Sequence, residues 1–98
     1  MLRFEGDITS TSREAVLGSY EALDKVMVKR IVLDFSKVPY LNSSGIALVI
    51  QLMLEARKVG QKVECFGLTA HFVKVFTMVG LAKYTRMHAT EADARAAT

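Results

Sequence analysis

Tryptophan is absent from this 98-residue chain, and cysteine and proline each occur once. The lone Cys65 rules out an internal disulfide, so nothing requires an oxidising compartment. It sits in an apolar strand pattern and reads as a buried, unreactive thiol. A long apolar run is also missing. The densest apolar segment, residues 46–54, is interrupted by Gln51 and falls short of the ~20 residues that span a bilayer. Near Met1, Arg3, Glu5 and Asp7 stand where a secretory leader would be apolar. The expectation is a soluble, cytoplasmic protein with no membrane insertion.

Neither sign of charge dominates. Thirteen Lys and Arg against ten Asp and Glu leave a net +3. The cations are dispersed along the chain: Lys25, Lys29 and Arg30, then Arg57, Lys58 and Lys62, then Lys74, Lys83 and Arg86. No basic run interleaved with aromatics is found, so nucleic acid is not an expected partner, although a mildly basic chain is compatible with an acidic one. Gly-rich phosphate loops and dinucleotide fingerprints are absent, which argues against a cofactor. His71, His88 and Cys65 are too far apart in sequence for a recognisable metal motif. A serine hydrolase would need a strained Gly-x-Ser-x-Gly elbow with a base nearby, and no such elbow occurs. No catalytic residue is assigned, and the chain reads as a non-enzymatic domain.

A regular alternation of element types runs along the chain. Leu2, Phe4 and Ile8 alternate with charged residues as in a strand with one buried face. Thr11 and Glu14 have capping-box spacing, and Val16, Tyr20, Leu23 and Met27 form a helical stripe behind them. Residues 30–35 read as a central strand covered on both faces. A second helix opens at residues 42–45 and is closed by Gly60. Val63, Cys65 and Phe66 mark another strand. Thr69 caps a third helix with Phe72, Val75, Phe76 and Val79 on one face, ended by Gly80. Residues 84–88 form a short strand and residues 90–97 a terminal helix. Four of the methionines, Met27, Met53, Met78 and Met87, read as core filler. The order is β-α-β-α-β-α-β-α, which predicts one α/β domain over residues 1–98 built on a mostly parallel β-sheet of four to five strands.

In such sheets function gathers at the carboxyl ends of strands and at the helix N-termini facing them. Asn42, Ser43, Ser44 and Gly45 form the most informative segment. Any of the first three can cap the helix, and Gly45 permits a close backbone approach. A helix N-terminus accommodates an anion, and a phosphate esterified there would add about −1.5 to −2 charges. An ordinary N-cap serine is the simpler reading of the spacing alone.

Residues 31–36 (Ile-Val-Leu-Asp-Phe-Ser), followed by Leu41 and then Ser43-Ser44-Gly45-Ile46, resemble the signature of STAS domains. Gly6-Asp7-Ile8-Thr9 and Val79-Gly80-Leu81 extend the similarity along nearly the whole chain. The resemblance is to anti-sigma-factor antagonists. It implies phosphorylation of Ser43 by a partner that is both anti-sigma factor and serine kinase, reversal by a phosphatase, and a role in partner switching and transcription regulation. It also implies that Asp7, Thr9, Asp34, Asn42, Ser44, Gly45 and Leu48 surround the phosphosite or contact the partner. Asn42 and Thr9 stand where the family carries Asp, leaving Asp7 and Asp34 as the acids nearest Ser43. The alternative implied by the same resemblance is an unphosphorylated scaffold or subunit of a signalling or lipid/anion transport complex.

Two further expectations follow. The apolar arc of the second helix spans roughly 240°, wider than a surface helix needs, so Leu48 or Leu54 should reach the surface as part of a docking face. The family's first strand has no counterpart before Leu2, so an uncovered sheet edge should favour a homodimer.

Overall fold

A computed structural model describes residues 1–96. Four strands, β1 (Leu2–Glu5), β2 (Arg30–Lys37), β3 (Lys62–Phe66) and β4 (Arg86–His88), form one sheet in the order β1-β2-β3-β4, with every pairing parallel. Parallel neighbours require a crossover, and α1 (residues 10–21), α2 (Ser43–Lys58) and α3 (Ala70–Met78) supply one between each pair. Because the strands lie in chain order and crossovers keep one hand, all three helices fall on the same face of the sheet. Val16, Leu17 and Tyr20 of α1, Val49, Leu52 and Met53 of α2, and Phe72 and Phe76 of α3 bury there against Leu33, Phe35 and Cys65. Burial pushes the Cys65 thiol up to about 11, so the group is held protonated in the core.

The terminal helix α4 (Glu91–Ala96) takes the other face, where Ala94 packs on Val32 and Phe66. This one short helix is the only cover of that face among the described residues. Strand positions turned toward it are accordingly charged: Arg3, Arg30, Asp34, Lys62, Glu64 and Arg86. The terminal helix was expected to reach Ala97, which lies outside the described residues.

Four local expectations are corrected. The capping box before α1 is formed by Thr9 and Ser12, not by Thr11 and Glu14. Ile8 is locked to Leu41 by a parallel bridge, so Thr9 is the first residue free to open the helix. The helix itself passes from a tight turn (Ser10–Ser12) through a wide π-helical stretch (Glu14–Gly18) to a short α-helical end (Ser19–Glu21). It stops before Met27, which is 76% exposed in a turn held by the Asp24 carboxylate. Val79 lies past the end of α3 and is 52% exposed, and Met78 is exposed as well. Only Met53 is fully buried among the four methionines read as filler, with Met87 half-buried.

Candidate functional site

The carboxyl ends of β1 and β2 lead into a tightly laced corner. Past β1 the backbone turns at Gly6, whose N–H donates to the Lys37 carbonyl at 2.9 Å. The Ile8 N–H donates to the Tyr40 carbonyl (3.0 Å), and the Ile8 carbonyl accepts from the Asn42 N–H (3.2 Å). These bonds carry the sheet pairing beyond the ends of the strands and deliver the start of α2 onto the Ile8 backbone.

Gly45 completes the contact. A Cβ at this position would overlap the Ile8 carbonyl oxygen and lie 2.6 Å from its carbonyl carbon. Only glycine allows the helix to come this close. The cap is Asn42, whose side-chain oxygen accepts from the Gly45 N–H at 2.8 Å. Such caps contribute about 1 kcal/mol. With the cap occupied by Asn42, Ser43 and Ser44 lie in the first turn and are solvent-exposed. That turn contains no acidic residue, so the free N–H groups and the positive end of the helix dipole are not neutralised locally.

Asn42, Ser43, Ser44 and Gly45 are thus brought together with Thr9, which follows Ile8 and caps α1 against the start of α2. Asp7 is exposed on the turn just before; its carbonyl accepts from the Ser12 hydroxyl. Asp34 does not join them. Strand alternation puts it on the α4 face with Val32, where its carboxylate accepts from the Ser36 N–H (2.8 Å) and hydroxyl (2.6 Å) and lies 3.9 Å from the Arg3 guanidinium.

Below Ser43, the outer face of α2 runs through Ala47 and Gln51 to Leu54, at spacings of four, four and three. Leu54 is 40% exposed, and Leu48 is half-buried beside this strip. The wide apolar arc therefore does reach the surface, chiefly at Leu54. Tyr40, next to the Ile8 lock and 50% exposed, stands edge-on to Phe72 at 6.1 Å. Nothing in the pattern of the sequence singled it out, because a tyrosine after the lone proline reads as loop. Among the described residues no three His, Cys, Asp or Glu side chains converge on a metal-sized site, and no helix is long and apolar enough to cross a membrane.

These features define a small parallel α/β domain with an exposed serine at a helix N-terminus. The chain belongs to the STAS domain family, whose model matches residues 1–94. The anti-sigma factor antagonist SpoIIAA in its unphosphorylated form is similar at 24% identity, with a TM-score of 0.71 over 95% of this chain and 82% of that one. The phosphorylated form of SpoIIAA, described as a Bacillus cell fate determinant, is similar at 26% identity, with a TM-score of 0.70 over 95% and 84%. A sulfate transporter family protein from Wolinella succinogenes shares the fold at 11% identity, with a TM-score of 0.76 over 95% and 79%. No curated protein matches the sequence significantly.

Proposed function

We propose that this domain is a non-enzymatic binding switch of the anti-sigma-factor-antagonist type. Unmodified, it docks an anti-sigma factor that is also a serine kinase; phosphorylated at Ser43, it is released until a phosphatase restores it. The observation that carries this reading is that Ser43 is exposed in the first turn of α2 while Asn42 does the capping. The serine is then free for modification without loss of the cap. A phosphate there sits on a helix N-terminus that favours it, so the fold tolerates the charge. The same charge meets a partner lying along Ser43, Ala47, Gln51 and Leu54, with Leu48 beside the strip and Tyr40 as an aromatic anchor near its upper end. The similarity to a protein whose phosphorylated and unphosphorylated forms are both solved supports the same reading. Asn42, Ser44 and Gly45 then shape the phosphosite, with Asp7 and Thr9 on its rim, and Asp34 acts only through the β2 turn.

Ser43→Asp is expected to fold normally and to bind the captured partner at least ~30-fold more weakly, the equivalent of about 2 kcal/mol for a charge placed in a desolvated interface. Ser43→Ala should bind like the unmodified protein and fail to be released on incubation with ATP. Pull-down followed by titration of the purified partner measures both. Equal affinities for all three proteins would leave the second reading, a constitutive scaffold. The likeness to a sulfate transporter family protein and the loss of two family carboxylates at Asn42 and Thr9 favour that alternative.

Self-association belongs to the same proposal. The outer side of β1 has no neighbouring strand among the described residues, and the other edge, β4, is only three residues long. Pairing through β1 predicts a mass that doubles with concentration in light scattering. A constant monomer mass would remove it.

A further inference from the structure

Apolar side chains left in solvent are concentrated at the pole remote from Ser43. Of the nine large hydrophobic residues exposed among the described residues, five lie there: Val26, Met27, Val59, Met78 and Val79. They share no stretch of sequence. Each belongs to the end of a helix or to the connection leading from it into a strand, and the parallel sheet brings all three connections to one end. The first two are joined directly: the Lys62 N–H donates to the Lys29 carbonyl at 2.9 Å, and the Gln61 side-chain amide donates to the Val28 carbonyl at 2.8 Å. Lys29, Gly60 and Lys83, one from each connection, border the same hollow.

Packing within the domain does not account for these residues. Val26 is 75% exposed and Met78 83%, and none of the five belongs to the core cluster. The turn that carries Val26 and Met27 is fixed, since the Asp24 carboxylate accepts from both of their N–H groups, at 3.0 and 3.2 Å. Around the apolar residues stand Lys29, Lys62, Lys83 and Arg86, all exposed and none in an ion pair among the described residues. Of the acids in these helix ends and connections, Asp24 is engaged by its own turn and Glu55 by Lys58. Glu64, just inside β3, is engaged by His88, which leaves Glu21.

We propose that this pole is a docking surface for an anionic phospholipid bilayer. Apolar tips set among lysines suit a membrane surface, where the tips enter the headgroup region and the cations meet the negative charge of the lipids. Composition separates this occupant from a protein. Protein interfaces gather aromatic residues and are depleted in lysine. Here none of the exposed apolar residues is aromatic, and lysine is the commonest cation beside them. A second copy would bring the same positive charge and be repelled. No helix among the described residues is long and apolar enough to cross a membrane, so the attachment is peripheral and reversible. Ser43 stands at the opposite end of α2, about 20 Å away at 1.5 Å per residue. A docked domain therefore keeps Ser43 turned away from the lipid, and the surface does not depend on the switch proposed above.

Co-sedimentation of the full chain with vesicles of phosphatidylcholine and phosphatidylglycerol in roughly equal parts tests the surface, with phosphatidylcholine vesicles as the reference. Binding to the mixed vesicles should be at least about tenfold stronger than to the reference and should weaken as salt rises. Lys29→Gln and Lys62→Gln should each reduce it by about fivefold, and Met27→Ser combined with Met78→Ser by about tenfold. Lys37→Gln, which removes an exposed cation paired with Glu5 at the opposite end of β2, should leave it unchanged. No binding to the mixed vesicles, equal binding to both kinds, or equal weakening by Lys37→Gln would overturn the proposal. So would a lipid-free rise in mass with concentration that the methionine variants abolish, which would make the pole a contact between copies. Circular dichroism of each variant confirms that the comparison is between folded proteins.

Discussion

Gly45→Ala is expected to destabilise the domain by about 3 kcal/mol or more, lowering the melting temperature by more than about 12 °C. The added methyl group would overlap the Ile8 carbonyl oxygen, and the obstacle is backbone, which no side-chain rotation relieves. Relief requires moving α2 away from Ile8. That movement breaks the hydrogen bond from the Asn42 N–H to the Ile8 carbonyl and weakens the bridge between Ile8 and Leu41. The same two contacts hold the loops on which Thr9 and Ser43 sit, so partner binding should fall with stability. Chemical denaturation read by circular dichroism gives the first number. A variant as stable as the parent would mean that α2 and Ile8 have slack between them, and the close-approach account of this glycine would be wrong.

Phe35→Ala should cost a further large amount, about 3–5 kcal/mol. Phe35 is fully buried in β2, with the Phe4 ring 5.5 Å away in β1 and the Phe76 ring edge-on at 5.9 Å in α3. Its removal leaves a cavity between three elements that cannot collapse independently. Because native domains are stable by only about 5–15 kcal/mol, the variant should be close to its unfolding threshold at room temperature. Phe35→Leu, which keeps most of the volume, should recover more than half of the loss. Urea midpoints for the pair separate a packing effect from a general intolerance of substitution; equal losses for Leu and Ala would contradict the packing account.

Both predictions rest on contacts between distant parts of the chain, and that sets how much of the molecule is legible in one dimension. The alternation of strand and helix signals comes from the near neighbours of each residue: alternate burial in 2–5, three successive aliphatics at 31–33, caps at 42 and 69, and glycines at 60 and 80. Such patterns determine the element order, and element order with handed, short connections determines a parallel sheet. The segment 42–45 is legible for the same reason, since cap chemistry is local. The width of the apolar arc on α2 is likewise a property of one helix, and it correctly pointed to an exposed leucine.

What depended on tertiary structure was every feature that compares two remote segments. Three residues were equally able to cap α2; the Ile8 lock brings in the chain so that Asn42 takes the position and Ser43 is left exposed. Asp34 is four residues into a buried strand, and only the side chosen by α4 decides that its carboxylate faces Arg3 and not Ser43. Met27 and Val79 continue a helical spacing on paper, but their helices end first, because spacing does not register where a turn begins. The dispersed cations give the clearest case. Lys29, Arg57, Lys62 and Arg86 have no sequence relationship, yet parallel strands that all start at one pole place them around a single cavity. Local chemistry is written in adjacent residues, whereas the charge lining a cavity is a sum over space, and only the folded chain performs that sum.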